Sequence, residues 1–189
     1  MGAPQQALSS YGAVVGTTYA TWNPADKSAD ITLSLGNLKA TQTTSSWDSV
    51  RSTIGKTSGK WYWEYTMTWS DWFDGIGNSS ATLTNHVWFD ANWRSYYFSD
   101  WSKVNNNTYT AYWATWNGTS VISVALDMNA GTLIFYKNNV SQGTAFTWLS
   151  GTIYAMIGVY GNTTSVTANF GATAQTYSPP SGYNAGLYS

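Results

Sequence analysis

The chain has 189 residues, 8 Lys+Arg against 9 Asp+Glu, a formal net charge of −1 and only 9% charged residues. Basic residues this few and scattered make neither a phosphate-binding stripe nor a polybasic membrane anchor, so no nucleic-acid partner is expected. No membrane insertion is expected either, since no apolar run approaches the ~20 residues of a span. Cysteine is absent and His86 is the single histidine, which removes disulfides, thiol chemistry and any site needing two imidazoles. Neither a metal nor another cofactor is expected. With 43% hydrophobic and 17% aromatic residues the chain has ample surface to bury in one domain. Ser, Thr and Asn together make up 64 residues, a low-charge polar surface suited to use outside a cell. Yet Met1-Gly2-Ala3-Pro4-Gln5-Gln6 shows neither the basic region nor the apolar run of a secretory signal. A protein released by lysis reconciles the two, so the expected location is a virion. The alternative is a bacterial surface or non-classical secretion.

Residues 1–21 show no sustained period and read as an N-terminal arm, with one domain over 22–189. Ile31, Leu33 and Leu35 alternate with Thr32 and Ser34. Trp61, Trp63, Tyr65, Met67 and Trp69 alternate with Tyr62, Glu64, Thr66 and Thr68, predicting a half-buried strand with odd positions inward. Residues 121–128 and 132–136 are apolar runs that predict strands covered on both faces, joined by turn chemistry at Asp127–Gly131. Asn138-Asn139 marks the next turn, because both residues tolerate positive φ. Ile153–Tyr160 and Val166–Phe170 follow, divided by Gly161–Thr164, and Ser178-Pro179-Pro180-Ser181-Gly182 closes the regular part. Many short strands with no capped helix predict an all-β, two-sheet antiparallel sandwich.

Several of these segments resemble the SPRY family. Gly59-Lys60-Trp61-Tyr62-Trp63-Glu64-Tyr65 is similar to its GKWYWEV-type strand, and Ser49–Thr53 resembles the short strand before it. Gly75-Ile76-Gly77-Asn78 resembles the following Gly-rich strand. Val124–Asp127 through Gly131–Asn139 is similar to the VALDxxxGTLxFYKNG hairpin, with Asn139 in place of the turn glycine. Ile153–Ile157 and Val166–Gly171 match the closing strands, so the resemblance covers about residues 22–182. It implies a concanavalin-like sandwich that binds rather than catalyses. Asn23–Ser28 resembles SPRY domains encoded by bacteriophages and bacteria.

Residues 69–116 hold 14 of the 32 aromatics, and apart from Gly75–Asn78 the stretch 69–118 matches no family element. Trp72, Trp93, Tyr96, Tyr97, Trp101, Tyr112, Trp113 and Trp116 are therefore candidate ligand-binding rings, flat apolar faces with polar edges that suit sugars and protein hot spots. Asp71, Asp74, Asn92 and Arg94 are the polar candidates beside them. Trp72, Trp93, Trp101 and Trp116, next to turn-type residues, are expected in loops, whereas Trp61, Trp63 and Tyr65 are expected in sheet packing. The competing readings for the loop rings are core filling and burial between subunits.

Glycosidase chemistry needs two carboxyls about 5–9.5 Å apart. The chain has one Glu, Glu64, whose strand carries no second acid, and Asp71 and Asp74 are read as loop residues. No catalytic residue is expected. Arg51 and Glu64 are rare charges on adjacent strands; either one, if buried and paired, would be structural.

The function expected from these readings is a non-enzymatic bacteriophage virion protein: capsid decoration, tail or fibre. Its arm would dock on other virion subunits or on itself, and its aromatic loops would contact a host-surface glycan or protein. The alternative is a free carbohydrate-binding module or adhesin, with a polysaccharide hydrolase third.

Overall fold

The structure is a computed structural model that describes residues 16–68, 72–84, 89–97, 100, 102–112 and 120–189. Its strands in chain order are β1 (Trp22–Lys27), β2 (Ile31–Ser34), β3 (Lys39–Gln42), β4 (Trp47–Lys56), β5 (Lys60–Thr68), β6 (Trp72–Gly77), β7 (Trp93–Tyr97) and β8 (Ser102–Asn105). There follow β9 (Thr108–Ala111), β10 (Ile122–Asp127), β11 (Thr132–Lys137), β12 (Val140–Phe146), β13 (Ile153–Tyr160), β14 (Ser165–Asn169) and β15 (Asn184–Ala185). They form two antiparallel sheets. One runs β1-β4-β13-β6-β7-β8-β9 and the other β12-β11-β10-β5-β14-β3-β2, with β15 added parallel to β5.

The core between the sheets is aromatic. Trp22 stacks on Tyr65 at 5.8 Å and meets Phe170 edge-on at 5.1 Å, and Tyr65 meets Trp72 edge-on at 6.2 Å. Trp63, Tyr65 and Met67 of β5 point inward as the alternation predicts. The strand is not half-buried, however: Tyr62 and Glu64 on its other face are also covered. The cover is the C-terminal segment. Glu64 accepts backbone N–H bonds from Thr176 (2.7 Å) and Tyr177 (2.8 Å), and the Gly186 N–H donates to the Tyr62 carbonyl. Regular structure thus continues past Gly182, because a buried carboxylate and a sheet edge give the tail its hydrogen bonds. The segment read as an arm also contributes: Ala20 is buried, its N–H donates to Leu187 O, and Tyr19 bridges Tyr188. Residues 1–15 lie outside the described residues.

β10 is buried on both faces as expected, whereas β11 alternates, with Leu133 and Phe135 inward. The hairpin between β11 and β12 turns on Asn138 (φ 46°) and Asn139 (φ 68°), both left-handed. Glycine occupies that region without a Cβ penalty. Asn139→Gly is therefore expected to raise stability by about 0.5 kcal/mol, read as a higher melting temperature; an unchanged or lower value would contradict the turn assignment.

The stretch 69–116, where only Gly75–Asn78 was expected as a strand, contains four strands among its described residues. β6 is buried at every position, so it shows no period of two to betray it. Its inward side carries Trp72, Asp74 and Ile76. Its outward side carries Phe73, then Gly75 and Gly77, where close packing excludes side chains. A Cβ on Gly75 would stand 2.1 Å from the Arg94 carbonyl of β7. That outward face holds a second small core of Phe73, Ala81, Trp93, Val104 and Met156, capped by the segment that follows β6.

Arg51 fastens this cap. Its guanidinium makes a two-pronged pair with Asp26 (2.6 and 2.7 Å) and donates to the carbonyls of Ala81 (2.6 Å) and Asn78 (3.2 Å). Arg51 and Glu64 are both structural, but they belong to different sheets and each has its own partners.

Candidate functional site

The register of β4 against β13 sets Trp47 opposite Tyr160. β6 lies on the other side of β13, followed by β7, so the outward residues of these strands form a row. Trp47 lies 5.2 Å from Tyr160 and 5.1 Å from Phe73, ring centre to ring centre. Phe73 stacks on Tyr97 at 4.2 Å with 14° between planes, and Tyr97 meets Tyr109 of β9 edge-on at 6.0 Å. Phe73 is the buried floor. Trp47 and Tyr97 are half-buried above it, while Tyr160 (36%) and Tyr109 (39%) are among the most exposed large apolar residues described. The result is a strip of rings crossing the outer face of the seven-stranded sheet, at the end where β4 begins and β7 and β13 finish.

Its rings carry no formal charge. Burial, then the neighbouring Tyr97 and Asp100, push the Tyr109 phenol up to about 12. It therefore stays an O–H donor at physiological pH. Among the described residues, no three His, Cys, Asp or Glu side chains gather in a way that would hold a metal ion. The strip offers apolar faces and phenolic edges, the chemistry of adhesion to another surface.

The structure scatters the residues singled out from the sequence. Trp72, Trp93 and Tyr96 are fully buried on strands, so as surface rings they are a correction. Trp72 and Tyr96 fill the space between the sheets, and Trp93 fills the outer core. Among the described ring candidates, Tyr97 alone joins the strip. Tyr112 is half-buried, meets Tyr96 edge-on at 5.0 Å, and donates its hydroxyl to the Gly143 carbonyl, tying the end of β9 to β12. Trp101, Trp113, Trp116, Asp71 and His86 lie outside the described residues.

Asp74 is a core residue of β6 and not a loop acid, with no measurable exposure and no hydrogen bond to either oxygen. Burial pushes its carboxyl well above the usual range. In that position it reaches no polysaccharide at the surface. Asn92 and Arg94 sit at the opposite end of the sheet from the strip, in a pocket with Ile76 and Trp148.

The sequence reading missed Trp47, Tyr109 and Tyr160 as site residues. Each stands on a strand beside turn-type residues (Ser45-Ser46 before Trp47, Asn105–Asn107 before Tyr109, Gly161-Asn162 after Tyr160). That local signal existed, but only the strand order makes the three neighbours.

The SPRY domain family model matches residues 60–173. Ran-binding protein 9 of Xenopus tropicalis is 31% identical over 163 residues, which cover 80% of this chain and 30% of that protein. The Xenopus laevis protein of the same name matches with the same figures, so the chain spans about 30% of the length of the curated relatives it matches. Among solved structures, the SPRY domain of human HERC1 aligns with a TM-score of 0.70 at 18% identity, over 78% of this chain and 96% of that one. Stonustoxin aligns at 0.68 with 22% identity, over 80% of this chain and 27% of that one. The TRIM65 PSpry domain aligns at 0.67 with 14% identity, over 80% and 92%. These structural likenesses show the fold.

Proposed function

Because the chain belongs to the SPRY domain family, whose members are protein-binding modules, we propose that it docks a segment of another protein across the strip Trp47–Tyr97–Tyr109–Tyr160. The supporting observation is the continuity of these half-exposed rings over the buried floor of Phe73. Interface energy concentrates on Trp and Tyr that enter a desolvated contact at small rotamer cost. Four such rings on one rigid sheet are pre-organised, which lowers the ordering cost of association.

The test is selection of peptides from a random dodecamer library on the wild-type domain, followed by affinity measurement on the double variant Tyr97→Ala/Tyr160→Ala. A loss of about ten-fold or more in affinity is expected, about 1.4 kcal/mol, with the folded fraction at 25 °C unchanged. Selected peptides that bind the double variant as well as wild type would sink the strip as the docking surface. Placement in a bacteriophage particle, expected from composition and from Asn23–Ser28, gains no support from the curated relatives and forms no part of this proposal. The same holds for glycan binding.

A further inference from the structure

Trp148 is the most exposed large apolar side chain among the described residues, at 93%. It stands in the connection between β12 and β13 with φ +61°, a left-handed conformation that is costly for a bulky L-residue. A bare turn would be better served by glycine, and Gly151 at φ +74° in the same connection shows the chain using one. Trp148 borders a cavity of about 180 Å³ between the end of β6, the start of β7 and the start of β13, lined also by Ile76, Asn92, Arg94 and Ser150.

Arg94 is the charged group of this cavity. It is half-buried, and its guanidinium donates to the Ala91 carbonyl at 2.7 Å. No acid among the described residues pairs with it: the ion pairs there are Arg51–Asp26 and Lys60–Asp127. The neighbouring Asp90 carboxylate is already engaged by the Thr82 N–H, the Asn92 N–H and the Asn92 side-chain amide. A desolvated guanidinium with unused donors matches a carboxylate in both charge and fork geometry. The cavity is smaller than the ~300–1,000 Å³ of small-molecule sites, a size that suits one side chain. The indole beside it offers a face for the next residue of an extended segment.

We propose that this cavity is a second recognition site, which takes an acidic side chain of a bound peptide on Arg94 and an adjoining aromatic or apolar residue on Trp148. It is separate from the aromatic strip. Ile153 and Tyr160 are the two ends of β13, so about 23 Å of strand lies between the sites.

The test is a titration of the full chain, ¹⁵N-labelled, with the capped tripeptides Ac-Glu-Phe-Gly-NH₂ and Ac-Gln-Phe-Gly-NH₂, glucuronate and inorganic phosphate, observing the Arg94 Nε–H and Trp148 indole N–H resonances. Saturable shifts of both resonances with the Glu peptide are expected, with about ten-fold weaker binding of the Gln peptide. Arg94→Gln should abolish the response. Trp148→Gly should weaken it while leaving the melting temperature equal to or above wild type. The Tyr97→Ala/Tyr160→Ala variant should bind the tripeptide unchanged, so that this site and the strip stand or fall separately. Equal binding of the two peptides, stronger binding of glucuronate or phosphate, or no saturable shift at about 10 mM peptide, well past a millimolar Kd, would overturn the proposal.

Discussion

Replacing Arg51 with alanine is expected to destabilise the domain by about 3 kcal/mol, the lower part of the range for breaking a buried ion pair. The lower part applies because Asp26 keeps 32% side-chain exposure and can rehydrate once its partner is gone, whereas Arg51 has 6%. The two carbonyls that the guanidinium also serves fare worse. Ala81 O and Asn78 O lose a charged donor, and the cap over Phe73, Trp93 and Met156 loses its fastening. Urea denaturation reads the total. Hydrogen exchange distinguishes the parts: residues 78–84 should lose protection more than β10 or β11, because opening is local to the element whose contacts were cut. A loss below about 1 kcal/mol would place the pair with ordinary surface salt bridges. Arg51→Lys should recover only part of the loss, since one ammonium cannot reproduce a fork on Asp26 together with two carbonyls.

The second large effect is a pH dependence. Asp74 is buried among Trp72, Tyr65 and Tyr96 with both oxygens unpartnered, and desolvation raises its folded-state pKa well above the unfolded value. The folded chain therefore keeps a proton that the unfolded chain releases above about pH 4. The sign follows directly. The contribution of this group is fully present below the unfolded pKa and is lost as pH rises toward the folded one. Asp74→Asn removes that linkage and keeps the shape. The stability of the variant minus that of wild type is thus expected to grow with pH above about 4, at up to about 1.4 kcal/mol per unit. From pH 5 through pH 6 to pH 7 the difference is therefore expected to rise at each step. The difference cancels any constant cost of burying the amide, and it cancels titration of groups shared by both proteins. Denaturation midpoints at pH 5, 6 and 7 provide the check. A difference that stays flat with pH would mean that Asp74 is ionised and paired in the folded protein. At higher pH the Tyr65 phenol, raised by burial and then by Asp74, adds a further loss of the same sign.

The legibility of the fold varied with how local its causes are. The strand β5 announced itself because Trp63, Tyr65 and Met67 recur at the pleat period and meet one core. The β10–β11–β12 hairpins did so because Gly131, Asn138 and Asn139 carry the positive φ that their turns require. Neither signal depends on anything distant. Residues 93–97, and 72–77 apart from the Gly75–Asn78 family motif, were opaque for the opposite reason. A strand with both faces buried has no period, and whether its Trp residues face core or solvent depends on what packs on the outside. Trp72 and Trp93 look alike in the sequence to rings in a surface loop. They are core because one sheet covers the first and the segment after β6 covers the second.

The aromatic strip is the furthest from the sequence. Trp47 and Tyr160 are separated by most of the chain and meet only through the pairing of β4 with β13. Tyr97 and Tyr109 join them through the order β13-β6-β7-β8-β9. Composition, alternation and turn residues by themselves determined a low-charge, cysteine-free antiparallel sandwich and, through the strand motifs, its family. These are properties of single segments and survive without knowing their neighbours. Which aromatic rings are spent on the core and which keep some exposure was decided only by the tertiary structure. Exposure belongs to a pair of packed surfaces, and sheet order brings those surfaces together from strands remote in the chain.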